Sequence, residues 1–205
     1  MWQHRNLCWK LNWYRHSELE GALLLGKVVR ATDDPDLILA LTRHSAEEAR
    51  HAWLWAQTIH ELGMPAVQIF RSYQSFYAEQ AALPLGLKQV LALTHVFERR
   101  VHRIFSEELA DQSLPPPVRR TLRILIQDEE RHLDWVARWL ERQPDAADLL
   151  RRFYDVDEKV YSFLAPYTER VWEIPGLGKE LGQLSENRPD SGDAHVRRLS
   201  AGVCQ

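Results

Sequence analysis

The fold is decided by residues 37–55, LILALTRHSAEEARHAWLW. Apolar residues recur here at steps of four and three, which is the pattern of one face of an α-helix. Glu48 and His51 lie on that same stripe, where an unpaired polar group costs about 2–7 kcal/mol. Both side chains therefore need buried partners. The stripe consists of Leu37, Leu41, His44, Glu48, His51 and Trp55.

The same pattern returns in residues 122–139, LRILIQDEERHLDWVARW. Its DEERH segment matches the earlier EEARH segment at three of five positions. Glu129 and His132 repeat the spacing of Glu48 and His51, which puts each pair on one helix face. A single Glu-x-x-His is a weak signal because helices are rich in glutamate, whereas two copies are a strong one.

Each Glu-x-x-His helix follows a helix that carries a further glutamate on its apolar stripe. Glu18 precedes Glu48 by 30 residues, and Glu98 precedes Glu129 by 31. Four carboxylates and two imidazoles in one core would repel one another unless cations were present. Two divalent metal ions would neutralise them, and oxygen and nitrogen ligands suit iron or manganese. The predicted ligands are Glu18, Glu48, His51, Glu98, Glu129 and His132.

The periodicity predicts an all-α protein, because no stretch shows the period of two that is typical of strands. The second helix is predicted to begin at Pro35, with Asp34 as its N-cap, and to be closed by Gly63 and Pro65. The segment 65–83 is too long for a tight turn and is predicted to be a crossover connection. One long connection between the second and third helices defines a ferritin-like four-helix bundle. The other bundle helices are predicted at about 7–31, 85–111 and 116–142.

An additional C-terminal helix is predicted at about 145–172, because its stripe is apolar at every step. It should pack on the bundle without contributing a ligand. After Pro175 the sequence is rich in Gly, Ser, Pro and charge, with too little apolar surface to offset the entropy lost on ordering. The predicted organisation is one helical bundle domain, 1–174, followed by a flexible tail, 175–205.

These motifs resemble those of the ferritin-like superfamily of dinuclear metal carboxylate proteins, especially its di-iron oxidase and oxygenase branches. The resemblance rests on the two (D/E)-E-x-R-H stretches and covers roughly residues 7–142. It implies that the acidic residue before each ligand glutamate orients the opposite histidine. Glu47 would then hold His132, and Asp128 would hold His51. Arg50 and Arg131 would pair with nearby carboxylates.

Composition excludes several other classes of protein. With 45% hydrophobic and 27% charged residues, the 205-residue chain has the make-up of one soluble globular domain. Its net charge of -3 gives no reason to expect nucleic acid or an anionic membrane as a partner. Cys8 and Cys204 form no paired motif, and the amino terminus lacks the apolar run of a secretory signal. A cytoplasmic location is expected.

The leading functional hypothesis is an enzyme whose two iron ions activate dioxygen to oxidise a small organic substrate. A manganese–iron pair and two manganese ions are alternatives. Electrons would come from an external reductase or from the substrate, because no ferredoxin-like or rubredoxin-like cysteine set is present. The alternative functions are a ferroxidase, a rubrerythrin-like peroxide scavenger and a non-catalytic helical module. The aromatic amino terminus, with Trp2, Trp9 and Trp13, suggests a homodimer.

Some neighbouring residues compete for these roles. Glu20 is an alternative to Glu18, and Glu107 and Glu108 are alternatives to Glu98. His44, His95 and His102 are interpreted mainly as core or boundary histidines, although each is near enough in sequence to serve the site. The tryptophans near the motifs are interpreted mainly as packing residues.

Overall fold

Long antiparallel helices form the frame of the molecule. The computed structural model describes residues 2–81 and 86–178, and within them it is helical with no named strand. Asp34 is confirmed as the N-cap of the second helix, since its carboxylate accepts from the backbone N–H groups of Asp36 and Leu37. Gly63, with φ of +64°, follows the end of that helix. The four bundle helices are α1 (Trp2–Val28), α2 (Pro35–Glu61), α4 (Leu87–Ala110) and α5 (Pro116–Leu140).

The crossover connection between α2 and α4 has a physical reason. Helix α2 packs antiparallel to both α1 and α5, and α4 packs antiparallel to α5. Consequently α2 and α4 run in the same direction, and the chain must return along the bundle between them. This return carries a short helix, α3 (Tyr73–Ala81), which lies against α1 and the C-terminal helix. The predicted ferritin-like topology is confirmed.

Helix α1 begins earlier than predicted, at Trp2 rather than at residue 7. The polar start of the chain is held by tertiary contacts: Asn6 donates to the carbonyl of Thr168 at 3.0 Å and accepts from the N–H of Val171 at 2.9 Å. Trp9 and Trp13 are buried inside the chain, so they offer no surface for the predicted homodimer. The homodimer itself stays a prediction.

The C-terminal helix is shorter than predicted. Helix α6 spans Ala146–Leu164 and is followed by 3-10 turns at Ala165–Tyr167 and Val171–Glu173. The prediction of one helix to residue 172 was wrong because Pro166 lacks the N–H that an α-helix requires. Helix α6 packs on α4 and α3.

The predicted tail starts at residue 175, but Leu177 and Gly178 within it contact the crossover connection. The N–H of Phe70 donates to the carbonyl of Leu177 at 2.7 Å, and Ile69 forms an antiparallel bridge with Gly178. Residues 179–205 lie outside the described residues, so a flexible tail stays a prediction. In the part of the chain that is described, no helix is both long and apolar enough to cross a bilayer.

Candidate metal centre

The six predicted ligands meet at one place in the bundle. Helix α1 provides Glu18, α2 provides Glu48 and His51, α4 provides Glu98, and α5 provides the last two residues. All six residues are buried, and the most exposed of them are 7% exposed. Six ionisable side chains in one buried cluster are unusual, because isolated buried charges are strongly unfavourable. The two residues that α5 provides are Glu129 and His132.

The side chains form two overlapping groups, each with ligand atoms that lie within 4.8 Å of one another. One group contains Glu18, His51 and Glu129, the other contains Glu98, His44 and His132, and Glu48 belongs to both. Glu129 also lies between the two histidines that the sequence predicted. Its Oε1 is 3.6 Å from His51 Nδ1, and its Oε2 is 3.4 Å from His132 Nδ1.

Hydrogen bonds on the outer side of the two histidines fix the direction of their rings. His51 Nε2 lies 3.0 Å from Asp128 Oδ2, and His132 Nε2 lies 2.8 Å from Glu47 Oε2. Since a carboxylate can only accept, each Nε2 carries the proton in the neutral ring and each Nδ1 keeps its lone pair. Both Nδ1 atoms face the carboxylates of the cluster. These are the partners that the family resemblance implied.

The two outer carboxylates are held by different arginine contacts. Asp128 accepts from Arg50 Nη1 at 2.7 Å and also from Arg131 Nη2. Glu47 accepts from Arg43 Nε at 3.1 Å and lies 3.7 Å from Arg131. The predicted pairing of Arg50 and Arg131 with carboxylates is thus present in the geometry, and Asp128 receives both.

Crowding of like charges perturbs the acidity of the cluster. Burial, followed by the charges of Glu48 and Glu129, raises the pKa of Glu18 well above its usual value. Burial also opposes ionisation of Glu48, but the nearby imidazoles of His132 and His44 outweigh it and lower the pKa of Glu48. For His132, burial lowers the pKa, yet the carboxylates of Glu129 and Glu48 raise it overall to about 12. Without metal, protons would therefore have to balance these carboxylates.

Several buried atoms fit the requirements of bound metal ions. His51 Nδ1, His132 Nδ1, Glu48 Oε1, Glu98 Oε2 and Glu129 Oε2 are buried and have no hydrogen-bond partner. Buried polar atoms are normally satisfied, so orphaned atoms that converge on one point need an explanation. These atoms would coordinate cations bound at this point. The donor set of carboxylate oxygen and imidazole nitrogen suits iron or manganese and contains no thiolate.

His44, which the sequence interpretation favoured as a core or boundary histidine, is buried within the cluster. It is 1% exposed, and its Nε2 lies 2.8 Å from Glu98 Oε1 and 3.4 Å from Glu48 Oε1 without hydrogen-bond geometry. Burial lowers the pKa of His44, but Glu98 and Glu48 raise it overall to about 9. Its position one turn before Glu48 was the available signal. At the corresponding position of α5 the sequence has Leu125, so the internal repeat gave no support.

The competing acids lie elsewhere. Glu20 lines a cavity but belongs to neither group of the cluster, and Glu107 is exposed. Glu108 accepts hydrogen bonds from Lys10 and Tyr14 away from the cluster. His95 and His102 line a separate groove beside α5 and α6.

A cavity of about 660 Å³ lies between α1, α3 and α4 and reaches the cluster. Four carboxylates, those of Glu18, Glu48, Glu98 and Glu129, line its inner part together with Tyr14 and Phe105. The remaining lining is mostly apolar, which is typical of a site for an organic ligand.

Trp55 Nε1 lies 3.4 Å from Glu18 Oε1 and donates to it, so one buried tryptophan does touch the cluster.

Comparison with known families agrees with this geometry. A family model described as "P-aminobenzoate N-oxygenase AurF" matches residues 19–157. The matched segment starts one residue after Glu18 and contains the other five predicted ligands. No curated protein and no solved structure is found to match the chain. The predicted resemblance to ferritin-like oxidases and oxygenases is confirmed: the chain belongs to the p-aminobenzoate N-oxygenase AurF family of dinuclear metal oxygenases.

Proposed function

We propose that this chain is a di-iron N-oxygenase that uses dioxygen to oxidise an amine nitrogen of a small organic substrate. The observation that carries the proposal is a buried carboxylate and histidine cluster at the inner end of an apolar cavity. The family match supports N-oxygenation in particular. Activation of dioxygen by a dinuclear centre is common to the family.

The proposed ligands follow the two overlapping groups. Glu18 and His51 would hold one ion, and Glu98 and His132 would hold the other. Glu48 belongs to both groups, and Glu129 approaches both histidines, so these two carboxylates would be shared. His44 would be an additional ligand on the side of Glu98.

The protein's own contribution is to hold ligands and exclude water. The metal ions would supply the redox chemistry with dioxygen and the substrate. Asp128 and Glu47 keep the Nδ1 lone pairs of His51 and His132 directed into the site. The apolar walls of the cavity keep a bound substrate and the reacting group away from bulk water. Electrons that the substrate does not supply would come from an external reductase.

An organic substrate is favoured over iron or peroxide by the same cavity. Ferroxidation and peroxide reduction need only a narrow polar approach, whereas here apolar side chains line a space large enough for an organic molecule. Sustained oxygen consumption by the iron-loaded protein only in the presence of an organic amine is the expected result. Equal consumption with ferrous iron or peroxide alone would support a ferroxidase or a peroxide scavenger instead.

The metal site is tested by elemental analysis after anaerobic loading with ferrous iron. The native chain is expected to hold two iron ions, and Glu48→Ala and Glu129→Ala are expected to lose most of both because each removes a shared carboxylate. Glu61→Ala is the matched control, since Glu61 lies on the same helix as Glu48 but forms an exposed pair with Arg120. A native chain that binds no metal, or three variants that bind equally, contradicts the proposal.

A further inference from the structure

We propose that the substrate is an uncharged amine that carries an elongated apolar tail, rather than a single-ring aminobenzoate. This inference rests on the proposed function and names the substrate class of the same site. Its amine would lie at the carboxylate end of the cavity and its tail would follow α1 and α4 outward. Three independent features carry it: the length of the cavity, the position of its charges, and one unpartnered acceptor.

The cavity is long because it follows the space between two antiparallel helices. Its lining extends from Tyr14 to Ala31 along α1 and the turn after it, and from Leu87 to Phe105 along α4. Outward from the carboxylates, it covers Glu18 to Ala31 and Glu98 back to Leu87. At 1.5 Å per residue, these spans correspond to about 16–20 Å. A benzene ring with two small substituents occupies less than half of that length. A substrate that fills the space therefore has a tail of several carbon atoms or a second ring system.

The outer part of the cavity, which we call the corridor, is apolar. Its walls are formed by Leu24 and Val28 of α1 and by Leu87, Val90 and Leu93 of α4. Burial of a hydrocarbon tail here would strengthen binding by roughly a factor of four for each methylene group removed from water. These five side chains offer nothing that would compensate a buried charge.

The charges of the lining argue against an anionic substrate. Among the described residues of the cavity wall, Lys27 is the only cation, and it is exposed at the outer end. The inner end contains four carboxylates, whose charge two divalent ions would just neutralise. A short aminobenzoate bound beside them would have to bury its carboxylate without a lysine or arginine partner, which is strongly unfavourable. An arylamine is uncharged at neutral pH and avoids this cost.

Gln74 supplies a specific contact for the amine. Its Nε2 donates to the carbonyl of Ser17 at 2.9 Å, which fixes the orientation of the amide. Its Oε1 is buried without a hydrogen-bond partner. The side chain lies beside Gly21, which also approaches the carboxylate of Glu48. A substrate N–H could therefore donate to Gln74 Oε1 while the nitrogen lies next to the candidate metal centre.

The test measures equilibrium binding, with and without anaerobically loaded ferrous iron, of 4-ethylaniline, 4-octylaniline and p-aminobenzoate. We expect 4-octylaniline to bind at least 100-fold more tightly than either of the other two. Binding is measured separately from metal content and turnover. The result can therefore contradict the substrate class without contradicting the metal site, and a result on the metal site can do the opposite. Binding of p-aminobenzoate that equals that of 4-octylaniline, or no dependence on tail length, overturns the inference.

Variants locate the tail and the amine. Leu24→Trp and Leu93→Trp narrow the corridor from opposite walls and are expected to weaken binding of 4-octylaniline at least tenfold while sparing 4-ethylaniline. Leu23→Trp is the control, since Leu23 is 61% exposed on the same helix. Gln74→Leu should weaken binding of both arylamines by the same factor. If Leu24→Trp and Leu93→Trp behave like Leu23→Trp in folded protein, the tail lies elsewhere and the inference is wrong.

Discussion

The two halves of the bundle, α1–α2 and α4–α5, carry the same ligand pattern in different surroundings. Four residues before the ligand glutamate, α2 has His44, whereas α5 has Leu125. Three residues after the upstream glutamate, α1 has Gly21, whereas α4 has Val101. The first half thus adds a polar group and removes a side chain close to Glu48. The two candidate metal positions are therefore inequivalent although the sequence nearly repeats.

The halves also differ in what covers them. Helix α6 packs on α4, and a buried network joins them: Asp157 accepts from Arg100 Nε at 2.8 Å and from the hydroxyl of Tyr77 on α3. Helices α1 and α2 instead pack closely on each other, and the cavity separates α1 from α4 beyond the contacts of Lys10 and Tyr14 with Glu108. The second half consequently depends on α6 for its support, and the difference leaves one side of the bundle free to accept a substrate.

The largest expected effect comes from removing that support with Asp157→Ala. The change leaves the buried guanidinium of Arg100 and the hydroxyl of Tyr77 without their common partner. The free energy of unfolding should fall by about 3 kcal/mol, as for other broken buried ion pairs. Urea denaturation of the metal-free protein measures it. Asp148→Ala, at an exposed position of the same helix, should leave the midpoint nearly unchanged, and an equal loss in both variants would refute this role.

Next in size is the difference between the two outer carboxylates. Asp128→Ala should lower the affinity for ferrous iron by about 10–100-fold, because it frees the ring of His51 and removes the carboxylate that pairs with Arg50 and Arg131. Glu47→Ala should have a smaller effect, since Glu47 is more exposed than Asp128. Competition with a chelator measures both. Equal losses would show that the two histidines are supported alike.

His44→Leu makes the first half resemble the second. One ion should bind about tenfold more weakly, by analogy with other changes close to metal ligands, while two ions still bind at saturation. Iron titration should then separate into two steps. Phe105→Leu, a buried change of similar size outside the cluster, is the control. A titration of His44→Leu that matches the native one would mean that His44 only packs against the ring of His132.

The smallest effect is expected from Gly21→Ala. A Cβ at this position would lie 2.9 Å from Glu48 Oε2, so the shared carboxylate would have to shift. Iron affinity should fall a few-fold, whereas helix propensity should raise the stability of the metal-free protein by about 1 kcal/mol. Gly26→Ala, whose Cβ would approach only Ser45, should keep the gain in stability without the loss of affinity. Loss of affinity in both variants would contradict the argument.

Much of this architecture could be predicted because it follows from local sequence patterns. Helical periodicity, the Asp34-Pro35 start and two Glu-x-x-His repeats predicted the bounds of the four bundle helices within a few residues. The same signals predicted that Glu18 and Glu98 lie beside the two repeats. These signals need only the geometry of a single helix. The start of α1 was predicted too late because tertiary contacts of Asn6 hold its first turns. The end of α6 was predicted too late because the local signal of Pro166 was overlooked.

The sequence by itself determined the helical bundle and the six acidic and imidazole groups on its inner stripes, because unpaired charge on an apolar stripe must find a partner. Only the tertiary structure decided that His44 joins the cluster, that Asp157 meets Arg100, and that a cavity separates α1 from α4. Each of these depends on the distance between helices that are far apart in the chain. Local periodicity contains no information on that distance.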